Sequence, residues 1–523
     1  MASTINILLC FLVLSTCDAY KILVVYPAPA KSHGILGEGV VRSLLKAGHE
    51  VTYITAVEYK NPPPKLRVIE VTESEALKPQ DSFKLDNLLD NPDQQNPTKD
   101  TSLMFQLMKA ILVMAIENPD VQKLLNDPNE EFDVVVVEWM FLDLLSGLAP
   151  IFGCPLILVS PVEVHSGILS LIDAAPNPAY TSDVMSEVMP PFTFTQRVSE
   201  LFKRVAVEYF RFWYLDDMEE QDYNRLIAPI ILKRGRQPPS FSDVKSNISL
   251  ILGNSHVSMG LPLALPQSYK SVGGYHINEE VKPLPEDLKK IMDNSKNGVI
   301  YFSMGSNLQS KHWPAKIKTG LLEMFGNLKQ TVLWKFEEDL PNVPKNVHIL
   351  KWAPQPSILS HPNCVLFITH GGLLSTTETI HYGVPIIGIP VFGDQFINVN
   401  RAMAKGFALE VKLSYALVDD LKAGIREILS NPRYTETVKT LSTIYHDRPV
   451  KPSAELAHWV EHVVRTRGAP HLRSPALVVP LYQRLYLDLV AQLAVALVVL
   501  IVLLRKLCAA VCKKKLDDKK KNK

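Results

Sequence analysis

The chain has 523 residues, 55 of them basic and 54 acidic. That length leaves room for two or three domains with sizeable cores, and the near balance of charge gives no nucleic-acid footprint. Six cysteines, widely scattered, exclude a disulfide framework and a cysteine metal cluster.

From the amino terminus, Ile7 to Leu14 form an apolar core of signal-peptide length. Cys17-Asp18-Ala19 follow as a cleavage site, so residues 1–19 read as a signal peptide that lacks the usual basic start. Lys21–Tyr26 reads as a buried strand. It ends in the loop Pro27 to Gly34, which carries His33, and a helix is expected over Ile35–Ala47 with Gly48 as its stop. Further strands are predicted at Val51–Thr55, Val68–Val71, Val134–Val137, Leu156–Val159 and Ser249–Leu252. The segment Asp81–Asp100 reads as a surface loop, and residues 161–245 break the alternation with helices such as Thr195–Tyr214.

The proline-containing run Leu261–Pro266 is the best linker, before Val272-Gly273-Gly274. A second beginning follows: the strand Val299–Phe302 turns through Ser303-Met304-Gly305-Ser306 towards a helix over Ala315–Leu328. Strands are expected at Thr331–Lys335, Val347–Leu350, Val365–Ile368, Pro385–Ile389 and Ala408–Val411. Strands alternating with helices imply α/β domains with parallel sheets covered on both faces. The expected division is 20–265 and 266–470, with a cleft between the two domains. Leu485–Leu504 is almost wholly apolar, and twenty helical residues rise about 30 Å, a bilayer core. Arg505, Lys506 and Lys513 to Lys515 then place the tail 505–523 in the cytosol and the ectodomain in a secretory lumen. Only Cys154 and Cys364 would lie in that lumenal part, where one bond between them is possible.

The loop after the first strand lacks the G-x-G-x-x-G fingerprint of a dinucleotide site. The second domain offers more for a nucleoside diphosphate. His370-Gly371-Gly372 precede a helix over Ser375–Tyr382, whose free N–H groups and dipole favour an anion. Ser375 adds a hydroxyl, and Glu378, a turn on, is placed to accept hydrogen bonds from ribose. Trp352 and Gln355 supply an aromatic face and an amide for a base; Asp394 and Gln395 offer groups to a polyol. The plain alternatives are a core aromatic for Trp352 and a solvated helix charge for Glu378.

The order Trp352, Gln355, His370-Gly371-Gly372, Ser375, Glu378, Asp394-Gln395 resembles the donor signature of the UDP-glycosyltransferases, and the likeness extends over nearly the whole chain. The resemblance implies a GT-B type fold, two Rossmann-like domains facing a cleft, plus a C-terminal transmembrane helix. It implies that Trp352 stacks on uracil and that Gln355 bonds uracil or ribose. Glu378 would hold the ribose hydroxyls, with His370, Gly372, Ser375 and Ser306 on the diphosphate and Asp394 and Gln395 on the sugar. The UDP-sugar is then a co-substrate, with no bound cofactor and no metal. One departure is Leu374, where many relatives have Asn; invertebrate members often carry Leu-Leu-Ser, which favours UDP-glucose over UDP-glucuronate.

Transfer to an alcohol or phenol needs a base, and His33 stands where the family places its catalytic histidine. The family's carboxylate partner is an Asp just after the fourth strand. Here that place holds Glu138, while Asp143 follows in a helix pattern, so both stand as partners. The other expectations are a small lipophilic acceptor bound by residues 60–110 and 161–230, an endoplasmic reticulum membrane location, and an open possibility of homo-oligomers. A membrane-anchored carrier that only borrows the fold is the competing class; it would not need both His33 and the Asp394-Gln395 pair.

Overall fold

The computed structural model describes residues 19–71, 101–173, 176–306 and 310–521. The expected signal peptide and the Asp81–Asp100 loop lie outside them, as does part of the acceptor region. Residues up to Leu472 form one compact unit, and Arg473 onward another.

The first unit contains two parallel sheets. Seven strands build the first: β1 (Lys21–Tyr26), β2 (Glu50–Thr55), β3 (Leu66–Glu70), β4 (Val134–Glu138), β5 (Leu156–Ser160), β6 (Leu250–Gly253) and β7 (Tyr269–Ser271), in the order β3-β2-β1-β4-β5-β6-β7. Six build the second: β8 (Val299–Ser303), β9 (Thr331–Lys335), β10 (Val347–Leu350), β11 (Cys364–Thr369), β12 (Ile386–Gly388) and β13 (Ala408–Glu410), in the order β10-β9-β8-β11-β12-β13. Runs such as Val134–Val137 are apolar at every position because both faces of each sheet are covered. The order in which strands are added reverses once in each sheet, between β1 and β4 in the first and between β8 and β11 in the second. Such switch points are where open α/β sheets bind ligands.

Six helices matter below: α1 (Lys31–Lys46), α2 (Phe194–Phe210), α3 (Leu373–Tyr382), α4 (Gln395–Ala404), α5 (Pro452–Arg465) and α6 (Leu487–Lys521). Helix α1 begins four residues before the expected Ile35, so His33 sits in its first turn rather than in a loop. Its N-cap is Ala30, which makes no side-chain cap bond, so the usual sequence signal for a helix start is missing. Helix α2 runs on through a π-helical turn at Arg211–Leu215. The strand expected at Pro385–Ile389 shortens to β12, whose ladder with β13 has three pairs.

The division at 265/266 is corrected in two places. Strand β7 pairs with β6, so the first sheet continues past residue 265. Helix α5 packs on α1, with Leu456, Val460 and Val463 buried beside Ile22, Val24 and Val40 of the first sheet's core. The chain thus crosses between lobes twice. Cys154 and Cys364 are both unbonded, one before β5 and the other opening β11 in the other sheet.

The second unit is described by itself. Its helix α6 contains the apolar stretch Leu487–Lys513, with mean hydropathy 2.8, long enough to cross a membrane. It begins two residues after the expected Leu485.

Candidate active site

Both switch points open on one cleft of about 540 Å³, lined from the first lobe by Lys31, His33 and Arg42 and from the second by Trp352, His370, Glu378 and Asp394, among others. That volume suits a small-molecule site.

On the first lobe, Val25 pairs with Val137, so Glu138 stands beside the end of β1. Its side chain is fully buried, and His33 Nδ1 lies 2.5 Å from its Oε1. The His33 side chain keeps about a quarter of its surface exposed (27 %), enough for a substrate to reach it. Burial disfavours its charged form, but the charge and hydrogen bond of Glu138, with Asp394 across the cleft, raise its pKa above the usual 6.5. With Nδ1 facing the carboxylate, Nε2 is the nitrogen left for chemistry.

Asp143 is not brought to His33. It is buried, accepts from Trp139 Nε1 at 2.8 Å and pairs with Arg211. Its backbone N–H donates to Glu219 at 2.5 Å. The reason is geometric: Glu138 ends β4 at the switch point, whereas the turn after it carries Asp143 towards the Trp139 and Arg211 side chains.

On the second lobe, Trp352 is 59 % exposed, with Lys31 Nζ 4.5 Å from its ring centroid. It is not a core aromatic. Glu378 is only 7 % exposed, so it is no solvated charge either. Gln355 Nε2 donates to Glu378 Oε2 at 2.7 Å and to Ser375 Oγ at 3.1 Å, while Tyr301 OH donates to Gln355 Oε1 at 3.4 Å. Burial pushes the Glu378 carboxyl up to about 7, against the Gln355 hydrogen bond.

His370 is wedged between two glycines. A Cβ on Gly305 would lie 2.6 Å from its Cε1, and one on Gly372 would lie 2.6 Å from its Nε2. No side chain caps the N-terminus of α3 at Gly372, which leaves N–H groups for an anion. Burial and the charge of Lys335 push His370 down to about 4, so it acts as a neutral ring. Ser306 lines the cleft beside it. Asp394 Oδ2 accepts from Asn398 Nδ2 at 2.8 Å, and burial raises its pKa. Gln395 Oε1 is engaged by the backbone N–H groups of Val391 (2.8 Å) and Phe392 (3.2 Å). Leu374 lines the cleft and packs on the apolar cluster of the first lobe, a contact an Asn would not make. Among the described residues, no group of three or more His, Cys, Asp and Glu is arranged for a metal ion.

Two lining residues escape a reading of the sequence. Lys335 closes β9, 8 % exposed, with Nζ 2.9 Å from Gly305 O and 2.7 Å from Glu337 Oε1. A lysine directly after the apolar run Val332–Trp334 was the available signal. His276 follows the Gly273-Gly274 pair and has no motif around it.

The family model for UDP-glucoronosyl and UDP-glucosyl transferases matches residues 20–522. The chain belongs to that family. UDP-glucosyltransferase 2 of Dactylopius coccus is 30 % identical over 95 % of this chain and 94 % of its own length. UDP-glucuronosyltransferase 2B1 of Rattus norvegicus is 30 % identical over 66 % of this chain and 64 % of its own. Among solved structures, the glycosyltransferase of kitacinnamycin superposes with TM-score 0.55 at 18 % identity, covering 85 % of this chain and 98 % of its own. Arabidopsis thaliana UGT89C1, complexed with UDP-L-rhamnose, gives 0.54 at 16 %, over 86 % and 99 %. At these identities the structures speak for the GT-B fold alone. As a UDP-glycosyltransferase, the enzyme moves a hexose from a UDP-sugar co-substrate to an acceptor.

Proposed function

We propose that this enzyme transfers glucose from UDP-glucose to a hydroxyl of a small lipophilic acceptor, in one step that inverts the anomeric carbon. The observation that carries the reading is that His33, held by Glu138, and Asp394 line the same cleft from opposite lobes. His33 Nε2 takes the acceptor proton as the oxygen lone pair forms its bond to the anomeric carbon. The bond from that carbon to the UDP oxygen breaks, and its electron pair leaves with UDP. Glu138 stabilises the imidazolium that forms, as the Asp of a catalytic triad does.

Trp352 stacks on uracil, Gln355 bonds its edge or the ribose, and Glu378 accepts from the ribose hydroxyls. His370, Gly372, Ser375 and Ser306 surround the diphosphate, and the N-terminus of α3 with Lys335 offsets the charge that grows on leaving UDP. Asp394 accepts from sugar hydroxyls, with Gln395 beside it. Ile35, Pro161, Val162 and Phe392 give the cleft its apolar side for an acceptor. One relative matched over almost its full length is named a glucosyltransferase, and Leu374 points the same way. Helix α6 anchors the protein in the endoplasmic reticulum membrane, with the catalytic unit lumenal, the basic tail cytosolic and a glycan on the exposed sequon residue Asn247.

The test is UDP release by the detergent-solubilised full chain over a panel of UDP-sugars and of phenols and alcohols. Turnover led by UDP-glucose is expected. Turnover led by UDP-glucuronate would overturn the donor assignment, and binding of acceptors without any UDP release would overturn the catalytic one.

A further inference from the structure

Between β7 and the second lobe the chain passes through Tyr275 and His276, both buried, at 1 % and 4 % exposure. Tyr275 belongs to the first lobe's core with Tyr26 and Val40. His276 instead lines the cleft, its Nε2 3.9 Å from Glu378 Oε1. Its place is fixed from behind. Arg42 of α1 donates to the carbonyls of Tyr275 (3.2 Å) and His276 (2.9 Å). Gly39 of the same helix allows the approach, since a Cβ there would lie 2.8 Å from His276 Cα.

Neither ring nitrogen of His276 has a hydrogen-bond partner among the described residues. Buried polar groups left unpaired are uncommon and call for an explanation. Burial, with Arg42 and His381 nearby, pushes the ring down to about 3, so it is neutral and offers one N–H. Its approach to Glu378 is therefore no ion pair, and at 3.9 Å it is not yet a hydrogen bond. The donor stands about 1 Å short of an acceptor. The other titratable groups acting on Glu378 are the hydroxyls of Tyr301, Tyr382 and Tyr445, all kept protonated by burial.

We propose that His276 is a positioning residue for the donor: its Nε2–H takes Oε1 of Glu378 when the ribose of the UDP-sugar docks, and so sets the carboxylate to hold both ribose hydroxyls. The inference rests on the reading of Glu378 as the ribose acceptor. Without a donor, Gln355 holds Oε2. A docking nucleoside competes for that amide, and a carboxylate has lone pairs enough for two hydroxyls and one further donor. His276 supplies that donor from the segment that joins the lobes.

The experiment is calorimetric titration of UDP into the solubilised full chain. His276→Phe keeps planar bulk and removes the donor; His276→Gln carries an N–H to a similar reach. His276→Phe is expected to weaken UDP binding about tenfold and His276→Gln by less than about threefold, with kcat at saturating donor unchanged. On a Glu378→Leu background, which leaves no acceptor for the ring, His276→Phe should add no further loss. Binding of 2′,3′-dideoxy-UDP should not respond to it. An equal loss on both backgrounds, a loss that extends to dideoxy-UDP, or no loss at all overturns the proposal. Should His276→Phe not fold, His276→Asn, whose amide stops short of the Nε2 position, is read by the same comparisons. If Glu378→Gln alone leaves UDP binding unchanged, the ribose reading itself has failed. If it weakens UDP and the His276 variants do not, only this inference falls.

Discussion

Replacing Glu138 by Gln keeps the shape of a fully buried side chain and removes its charge. The amide oxygen can still accept from His33 Nδ1, so the ring stays oriented while its counter-charge is lost. Two unit charges about 4 Å apart at an effective dielectric near 20 interact by about 4 kcal/mol. The surviving neutral hydrogen bond offsets about 1 kcal/mol of that, leaving a loss of about 2–4 kcal/mol and a fall in kcat of about 30- to 1000-fold. The pH profile carries the sharper information. In the native enzyme His33 titrates above 6.5, and only its neutral form takes a proton, so kcat/KM should climb with pH through a value above 6.5. In Glu138→Gln burial is opposed only by the weaker pull of Asp394, so the acid limb moves to lower pH while the plateau drops. The assay is UDP release with kcat and kcat/KM followed from about pH 5 to about pH 9; UDP affinity, read on the other lobe, should stay the same. His33→Ala should lose about 10²- to 10⁴-fold with no acid limb from this group and equally intact UDP binding. A normal plateau in Glu138→Gln, or a fallen plateau whose limb has not moved, refutes the reasoning. An inactive Asp143→Asn beside an active Glu138→Gln would hand the role to the other carboxylate.

The Glu378 carboxyl, pushed up to about 7, must ionise to receive ribose hydroxyls, so uridine binding should tighten as pH rises through 7. Glu378→Gln should abolish that dependence and cost about 1–3 kcal/mol in uridine affinity; an unchanged profile in the variant removes Glu378 from the site. The same raised pKa means that burial of Glu378 favours the ligand-free fold at low pH, a contribution lost as pH rises from about 4.5 through 7. Lys335→Met should raise the KM for UDP-sugar about tenfold and leave uridine binding unaffected, because the lysine meets phosphate and not nucleoside; equal losses for both ligands would refute a phosphate role.

The strands were legible because both-face burial writes them as unbroken apolar runs, and every predicted strand lies within a few residues of one in the structure. The candidate donor site could be read because its residues are packed into one stretch, Trp352 to Gln395. What stayed hidden depends on contacts between distant segments. Strand β7 is three residues long and pairs on one side only, with β6. The start of α1 has no capping side chain, so apolar periodicity placed it too late. The choice between Glu138 and Asp143 needed the register of β4 against β1, which no local pattern contains. His276 and Lys335 owe their places to neighbours far along the chain, Arg42 and Gly305.

The return of α5 to the first lobe bears on how such enzymes can exchange parts. The first lobe is not one continuous stretch of the gene: its sheet is assembled from strands between Lys21 and Ser271 and is covered by the helix Pro452–Arg465. A chimera made with a single junction near residue 265 would seat Leu456, Val460 and Val463 of one parent against Leu36, Val40 and Leu44 of the other. Methylene-scale misfits in such a core each cost about 1 kcal/mol or more. Grafts that carry both segments as a matched pair should therefore yield folded hybrids where single-junction grafts do not, and inherited acceptor range should travel with the pair.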